Sequence, residues 1–410
     1  MLIGLVGKPS VGKSTFFKAA TLAEVEIASY PFTTIKANHG VGYVKIECID
    51  KEFGTQCNPS HGFCINHHRF VPVEIMDVAG LVPGASEGKG LGNQFLDDLR
   101  QADVFIHIVD VSGETNEEGK QIVDFHSSAS ELGSERKPTK DYDVTQDVEF
   151  LEEELNMWYY NIFIKVWKSF ARKAEQEKQK FSEAVAKQFS GLKVNENQVK
   201  DALRKVNLSD KPSAWKEEDL KLFVSTLRKI SKPMIIAANK IDKPKGNENY
   251  EKLIKKFPDL FIVPCSADSE LALRQAAKSE VIEYIPGENN FKIIKVINDE
   301  QKTALENIEK NVLKKFDGTG VQMVLNAAIF DLLQYIAIFP AGANKLADSK
   351  GNVLPDCFLL PKGSTALDFA FHLHTDFGKN FIKAIDARSK KALGKAYELQ
   401  HRDALEIVTK

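Results

Sequence analysis

Cysteine is scarce. The five residues, Cys48, Cys57, Cys64, Cys265 and Cys357, are odd in number and scattered, so no disulfide framework is expected. The sequence opens on a strand-like run, so no secretory leader is expected. Both absences fit a reducing cytoplasm. Long hydrophobic runs are lacking too. The most apolar stretch, Val321 to Ala341, is interrupted by Gln322, Asn326, Asp331 and Gln334, whose cost in hydrocarbon points to a buried helix rather than a membrane span. Neither sign of charge dominates, with 55 Lys and Arg against 57 Asp and Glu, so no global field draws the chain to a membrane or to DNA, and neither is expected as a partner. Only 15 prolines among 410 residues, 43% of them hydrophobic, exclude a disordered chain and leave room for two or three packed domains. Nothing in the pattern specifies an oligomeric state.

The apolar runs that are present are short and end at polar residues. Leu2 to Val6, Phe70 to Met76, Val104 to Val109 and Pro233 to Ala238 read as buried parallel strands whose carboxyl ends line a ligand crevice. Ser14 to Thr21 reads as the helix following the first strand. About 120 residues separate the strand ending at Asp110 from the one near Met234, too many for a plain connection. There Leu151, Leu155, Trp158, Tyr159, Ile162, Phe163, Val166, Trp167 and Phe170 recur at three and four, Phe181, Val185 and Phe189 continue the stripe, and Leu220, Phe223, Leu227 and Ile230 mark a returning helix. From Phe163 to Lys211, Lys and Arg outnumber Asp and Glu by about two to one, a bias that a solvated helix face or an RNA-facing surface produces.

Helices are expected at 301–316 and 319–335. Strands follow at Ile336 to Phe339, Cys357 to Leu360, Phe381 to Ile385 and Ala404 to Val408, around a helix at Ala366 to His374. The expected organisation is a split α/β domain at 1–112 and 231–290 with a three-layer sheet, an antiparallel helical insertion at 113–230, a helical connector at 291–335, and a small α+β domain at 336–410.

Three motifs stand in order: GKPSVGKS from Gly7 to Ser14, DVAG from Asp77 to Gly80, and NKID from Asn239 to Asp242. In the first, Gly7 and Gly12 let backbone N–H groups curl around a phosphate, along with Lys8, Ser10, Val11 and Thr15. Lys13 is placed to reach the β and γ oxygens, and the Ser14 hydroxyl to ligate magnesium. In the second, Asp77 is spaced to hold magnesium while the Gly80 N–H meets the γ-phosphate, and Gly84, Gly88, Gly90 and Gly92 follow in a loop suited to switching. In the third, Asp242 accepts the N1–H and 2-amino fork that guanine has and adenine lacks, Lys240 covers the base, and Asn239 ties this loop to the phosphate loop. Ser266 and Ala267 fit a loop whose backbone N–H groups meet guanine O6. The ordered set implies a guanine-nucleotide-binding P-loop protein, with GTP or GDP as ligand.

YPFTT at Tyr30 to Thr34, with DVAGLVPGASEGKGLGNQFL from Asp77 to Leu96, resembles the Obg/YchF family of translation-factor GTPases, in particular its archaeal-type members. LPKGST at Leu360 to Thr365, DFAFHLHTDFG at Asp368 to Gly378, FIKAIDAR at Phe381 to Arg388 and YELQHRDALEIV at Tyr397 to Val408 resemble a TGS domain, a β-grasp module. The resemblance implies a GTPase acting on the ribosome, its RNA or translation factors. It also implies Thr34 as the switch threonine on magnesium, with Thr33 the adjacent candidate and Phe32 beside them at the nucleotide. Lys13, Thr34 and Gly80 are then the residues carrying catalysis. Leu81 replaces the glutamine that orients water in Ras-like enzymes, so slow intrinsic turnover is expected. The resemblance also raises potassium as an activator. Ser10 argues against it, standing where potassium-activated relatives carry asparagine.

Three rivals share parts of this pattern. YchF-type members that lose NKxD prefer ATP, whereas this chain keeps the motif. An RNA- or ribosome-binding module with nucleotide as a structural ligand needs no hydrolysis. A P-loop small-molecule kinase shares only the phosphate loop, and NKID and DVAG oppose it. Separately, Cys57, His61, Cys64, His67 and His68 cluster near Cys48, where zinc is conceivable, but the spacing fits no common zinc module and an exposed hairpin with incidental Cys and His is the favoured reading.

Overall fold

The computed structural model describes residues 1–22, 38–78, 80, 81, 84, 99–122, 142–343, 345–348 and 350–410. Its main sheet has seven strands: β1 (Leu2–Val6), β2 (His39–Glu47), β3 (Phe63–Ile65), β4 (His68–Asp77), β5 (Val104–Asp110), β6 (Met234–Asn239) and β7 (Phe261–Pro264). The spatial order is β2-β4-β1-β5-β6-β7, with β3 added on β4. β4, β1, β5, β6 and β7 run parallel, while β2 and β3 pair antiparallel with β4.

Period-two alternation divides the apolar side chains between two faces. Ile3, Leu5, Ile106 and Ile108 pack on one side with Phe16 and Ala20 of α1 (Lys13–Thr21). Leu2, Val6 and Phe105 pack on the other with Leu151, Leu155, Trp158, Tyr159 and Phe163 of α2 (Thr145–Gln176). Both faces are therefore covered, as a parallel sheet requires, and all seven residues of β5 are buried.

The insertion continues through α3 (Phe181–Gln188), α4 (Glu196–Lys205) and α5 (Glu217–Ser231). Aromatic rings knit it together. Phe163 stacks on Phe189 with centroids 3.6 Å apart, and Trp215 lies 5.4 Å from Trp167 and 5.2 Å from Phe223. Part of the basic bias is neutralised locally: Lys180 and Lys200 both meet Glu196, at 2.5 and 3.0 Å.

After β6 come α6 (Gly246–Lys256), β7 and α7 (Ala267–Lys278), then the two-stranded β8 (Ile282–Glu283) and β9 (Lys292–Ile293). The connector helices differ in detail from the sequence reading. α8 (Asp299–Ile308) starts earlier because Asn298 and Gln301 form a reciprocal capping box, and a π turn at Glu309–Leu313 follows. α9 (Val321–Asn326) passes into a π turn at Ala327–Leu332, and Gln334, with φ 53, ends it, so Tyr335 belongs to a strand.

That strand, β10 (Tyr335–Pro340), opens a second sheet with β11 (Phe358–Pro361), β12 (Phe381–Asp386), β13 (Ala392–Leu393) and β14 (Ala404–Thr409), ordered β11-β10-β14-β12-β13. With α10 (Ala366–Leu373), begun by a Thr365–Asp368 capping box, it makes a β-grasp domain. Ala337, Phe339, Ala387 and Ala404 join the same core as β1 and α1. At its surface Arg388 and Arg402 each reach Glu52 at 2.5 Å.

Candidate functional site

The loop from Gly7 to Gly12 joins β1 to α1 at the carboxyl edge of the sheet. Lys13 is buried, and its Nζ donates to the carbonyls of Gly7 at 3.1 Å and Lys8 at 2.7 Å. Burial lowers its pKa to about 8, and the Asp77 carboxylate opposes the shift. Ser14 Oγ donates to Asp77 Oδ2 at 2.8 Å, which brings two hard oxygen donors from different motifs together. Thr15 follows in the first turn of α1. Gly80 approaches so closely that a Cβ there would sit 2.7 Å from the Pro9 nitrogen, and the Leu81 N–H donates to the Gly7 carbonyl at 3.1 Å. The Leu81 side chain is buried in the apolar cluster of Val6, Val78 and Leu99.

NKID lies at the end of β6, beside this loop. Asn239 Nδ2 donates to the Val11 carbonyl at 2.8 Å, and Asn239 Oδ1 accepts from the Ala267 N–H at 3.0 Å. Gly12, at φ 95, has no room for a side chain: a Cβ would fall 2.4 Å from Asn239 Nδ2. Lys240 Nζ donates to Asp110 Oδ2 at 2.7 Å and to the Ser10 carbonyl at 3.2 Å. Asp242 accepts from Ser266 Oγ at 2.8 Å and stays partly exposed.

The Ser266 N–H already donates to the Thr319 carbonyl at 2.8 Å, and the Ala267 N–H to Asn239. Both N–H groups are thus engaged within the protein, at the start of α7 beside NKID.

Phe32, Thr33 and Thr34 lie outside the described residues, as does most of 82–98. Two participants escaped the sequence reading. Asp110, fully buried at the end of β5, gathers Lys240, Ser112 Oγ at 2.6 Å and Thr115 Oγ1 at 3.0 Å, and its place at a strand's carboxyl end is the signal that marks it. Asp147 meets Lys8 Nζ at 2.9 Å from α2, with no local motif to announce it.

A phosphate loop before a helix, a D-x-x-G carboxylate joined to the loop's serine, and an NKxD loop clamped to the phosphate loop define a P-loop GTP-binding protein. Family models agree along the chain. Residues 2–138 match a model described as 50S ribosome-binding GTPase, 237–342 one described as Obg-like GTPase YGR210-like, G4 motif-containing domain, and 345–409 the TGS domain. An uncharacterized GTP-binding protein of Methanocaldococcus jannaschii is 49% identical over 100% of this chain and 99% of its own length. The ribosome-binding ATPase YchF of Bacillus subtilis is 28% identical over 93% of this chain and 87% of its own. The crystal structure of a GTP-binding protein from Pyrococcus horikoshii OT3 covers 100% of both chains at 40% identity with a TM-score of 0.77. The chain belongs to the YchF-type Obg-like family of GTP-binding proteins, with a C-terminal TGS domain.

Proposed function

We propose that this protein hydrolyses GTP to GDP and phosphate and acts as a cytoplasmic switch read by the ribosome, its RNA or factors working on it. The observation that carries the guanine assignment is Asp242, steadied by Ser266 in a loop that Asn239 clamps to the phosphate loop. Its carboxylate accepts two donors from guanine and faces a lone pair on adenine. An unpaired acceptor there costs about 1–3 kcal/mol, so GTP outcompetes ATP by about tenfold or more. The Lys240 stem covers one face of the base, and the backbone N–H groups of the loop holding Ser266 and Ala267 meet O6.

On the phosphate side, Lys13 and the backbone from Ser10 to Ser14 stabilise developing charge. The Ser14–Asp77 pair is suited to hold magnesium, with Thr34 the further ligand implied by the family. Held there, the ion would supply neutralisation of the phosphate charge. The Gly80 N–H, close to Pro9, reports the γ-phosphate. Leu81, packed in apolar surroundings, orients no water, so unassisted turnover is slow, on the order of 10⁻³ s⁻¹ or less, until a partner completes the charge stabilisation.

The names of relatives support a ribosomal partner, and so does the basic bias between Phe163 and Lys211. Single-turnover hydrolysis of GTP and ATP, with and without ribosomes, tests the reading alongside ribosome pelleting in each nucleotide state. The expected result is slow GTP hydrolysis accelerated by ribosomes, and pelleting that differs between GDP and a nonhydrolysable GTP analogue. Equal pelleting would make nucleotide a structural ligand, since a ligand with equal affinity for two states shifts nothing. Faster ATP hydrolysis would transfer the ATPase activity named for the Bacillus relative to this chain.

A further inference from the structure

The cysteines near the β3–β4 hairpin are not an exposed set. Cys48 and Cys57 are buried and Cys64 is half-buried. Cys48 Sγ lies 3.6 Å from Cys57 Sγ, and with Cys64 Sγ and an Asp50 carboxylate oxygen all four atoms fall within 4.8 Å of one another. Tetrahedral zinc with Zn–S bonds of about 2.3 Å separates its sulfur ligands by about 3.8 Å, so the spacing matches one ion. We propose that Cys48, Cys57, Cys64 and Asp50 form a closed structural zinc site.

Two surrounding side chains support this assignment independently of the four ligands. Asp50, fully buried, accepts at Oδ1 from His67 Nδ1 at 2.9 Å, an outer partner of the kind that orients a metal-bound carboxylate. Arg69 is also fully buried. Its Nη1 and Nη2 donate to the carbonyls of Leu354 at 3.0 Å and Pro355 at 2.9 Å, and no carboxylate pairs with it among the described residues. A guanidinium is always charged, and a buried charge calls for a counter-charge. Zinc with three thiolates and one carboxylate carries net negative charge, and Cys57 Sγ is 3.7 Å from Arg69 Nη1. On binding, the three thiol protons pass to solvent. Histidine is not among the ligands: His67 serves from outside, and the cluster differs from the Cys and His set suggested by sequence proximity.

The site sits where the main sheet meets the C-terminal domain. The Asn58 and Ser60 N–H groups donate to the carbonyls of Val353 and Pro355, both at 2.8 Å, so the loop between Cys57 and Cys64 carries the segment against which Arg69 also docks. Zinc fixes that seam.

Full-length protein purified under reducing conditions without a histidine tag is expected to carry one zinc per chain by elemental analysis. After chelator stripping, Co²⁺ alone is expected to give the visible bands of a tetrahedral site with thiolate-to-cobalt charge transfer, displaced by Zn²⁺. Cys57→Ser lowers zinc content on the order of tenfold or more, His67→Ala weakens zinc affinity by about 10–100-fold, and Cys265→Ser retains the metal. If a variant fails to fold, the wild-type cobalt spectrum still decides. Absence of both stoichiometric zinc and thiolate–cobalt bands overturns the proposal, as does a Cys48–Cys57 disulfide in anaerobically purified protein.

Discussion

Lys8 of the phosphate loop lies 2.9 Å from Asp147 in the first turn of the long helix α2, with both side chains almost completely buried. The same ammonium donates to the Thr115 carbonyl at 3.0 Å and sits 4.1 Å above the centre of the Tyr142 ring. The loop expected to cradle phosphate is therefore bonded directly to the helical insertion. A second link runs from the Gly84 N–H to Glu154 on the same helix, at 2.7 Å. Both links end on the same helix.

Breaking the first link leaves a buried charge without its partner. Lys8→Met or Asp147→Leu alone is expected to destabilise by about 3–5 kcal/mol, and the double substitution by less than the sum. Urea denaturation of the four proteins measures the coupling. Strict additivity would remove this pair as the connection.

The aromatic cluster of the insertion predicts a different outcome. Phe163 is fully buried and stacks on Phe189. Phe163→Ala is expected to cost about 3–5 kcal/mol by leaving a cavity. GDP affinity at low temperature should stay near wild type, because Phe163 lies on α2 and away from the nucleotide motifs. Thermal melting together with GDP titration checks both halves.

Lys13 provides the pH dependence. Burial holds its pKa at about 8 in the free protein, with Asp77 pulling the other way. The ammonium consequently loses its proton as pH rises through 8, well before an exposed lysine does. A bound diphosphate favours the charged form and raises the pKa. GDP binding at about pH 8.5 should then take up a proton, weakening as pH rises further, whereas at about pH 6.5 this group contributes no uptake. Calorimetry in two buffers of different ionisation enthalpy reads the proton count. No uptake at the higher pH would contradict the assignment.

The parts legible in the sequence were those set by local pattern. Apolar runs ending at Asp77 and Asn239 placed two motifs at the carboxyl edge of a parallel sheet, and Asn239 does reach the Val11 carbonyl. Four of the five β-grasp strands were legible for the same reason, and the two-residue β13 was too short to show. Strand β2 was not, because Gly40 and Gly42 interrupt its apolar alternation and its burial comes from nine paired positions on β4. The Lys8–Asp147 bond and the place of Asp50 among the cysteines were hidden too. Each depends on tertiary packing that brings together residues without a shared motif, and no spacing encodes that. The engaged N–H groups of Ser266 and Ala267 belong to the same class, since Thr319 arrives from a distant segment.

Base recognition is the centre of this account, and titration of GDP and ADP into wild-type protein and Asp242→Ala tests it most directly. Wild type is expected to bind GDP about tenfold or more tightly than ADP, and Asp242→Ala to lose most of that margin while keeping its affinity for phosphate. An undiminished margin in the variant, or a wild type that favours ADP, would contradict it.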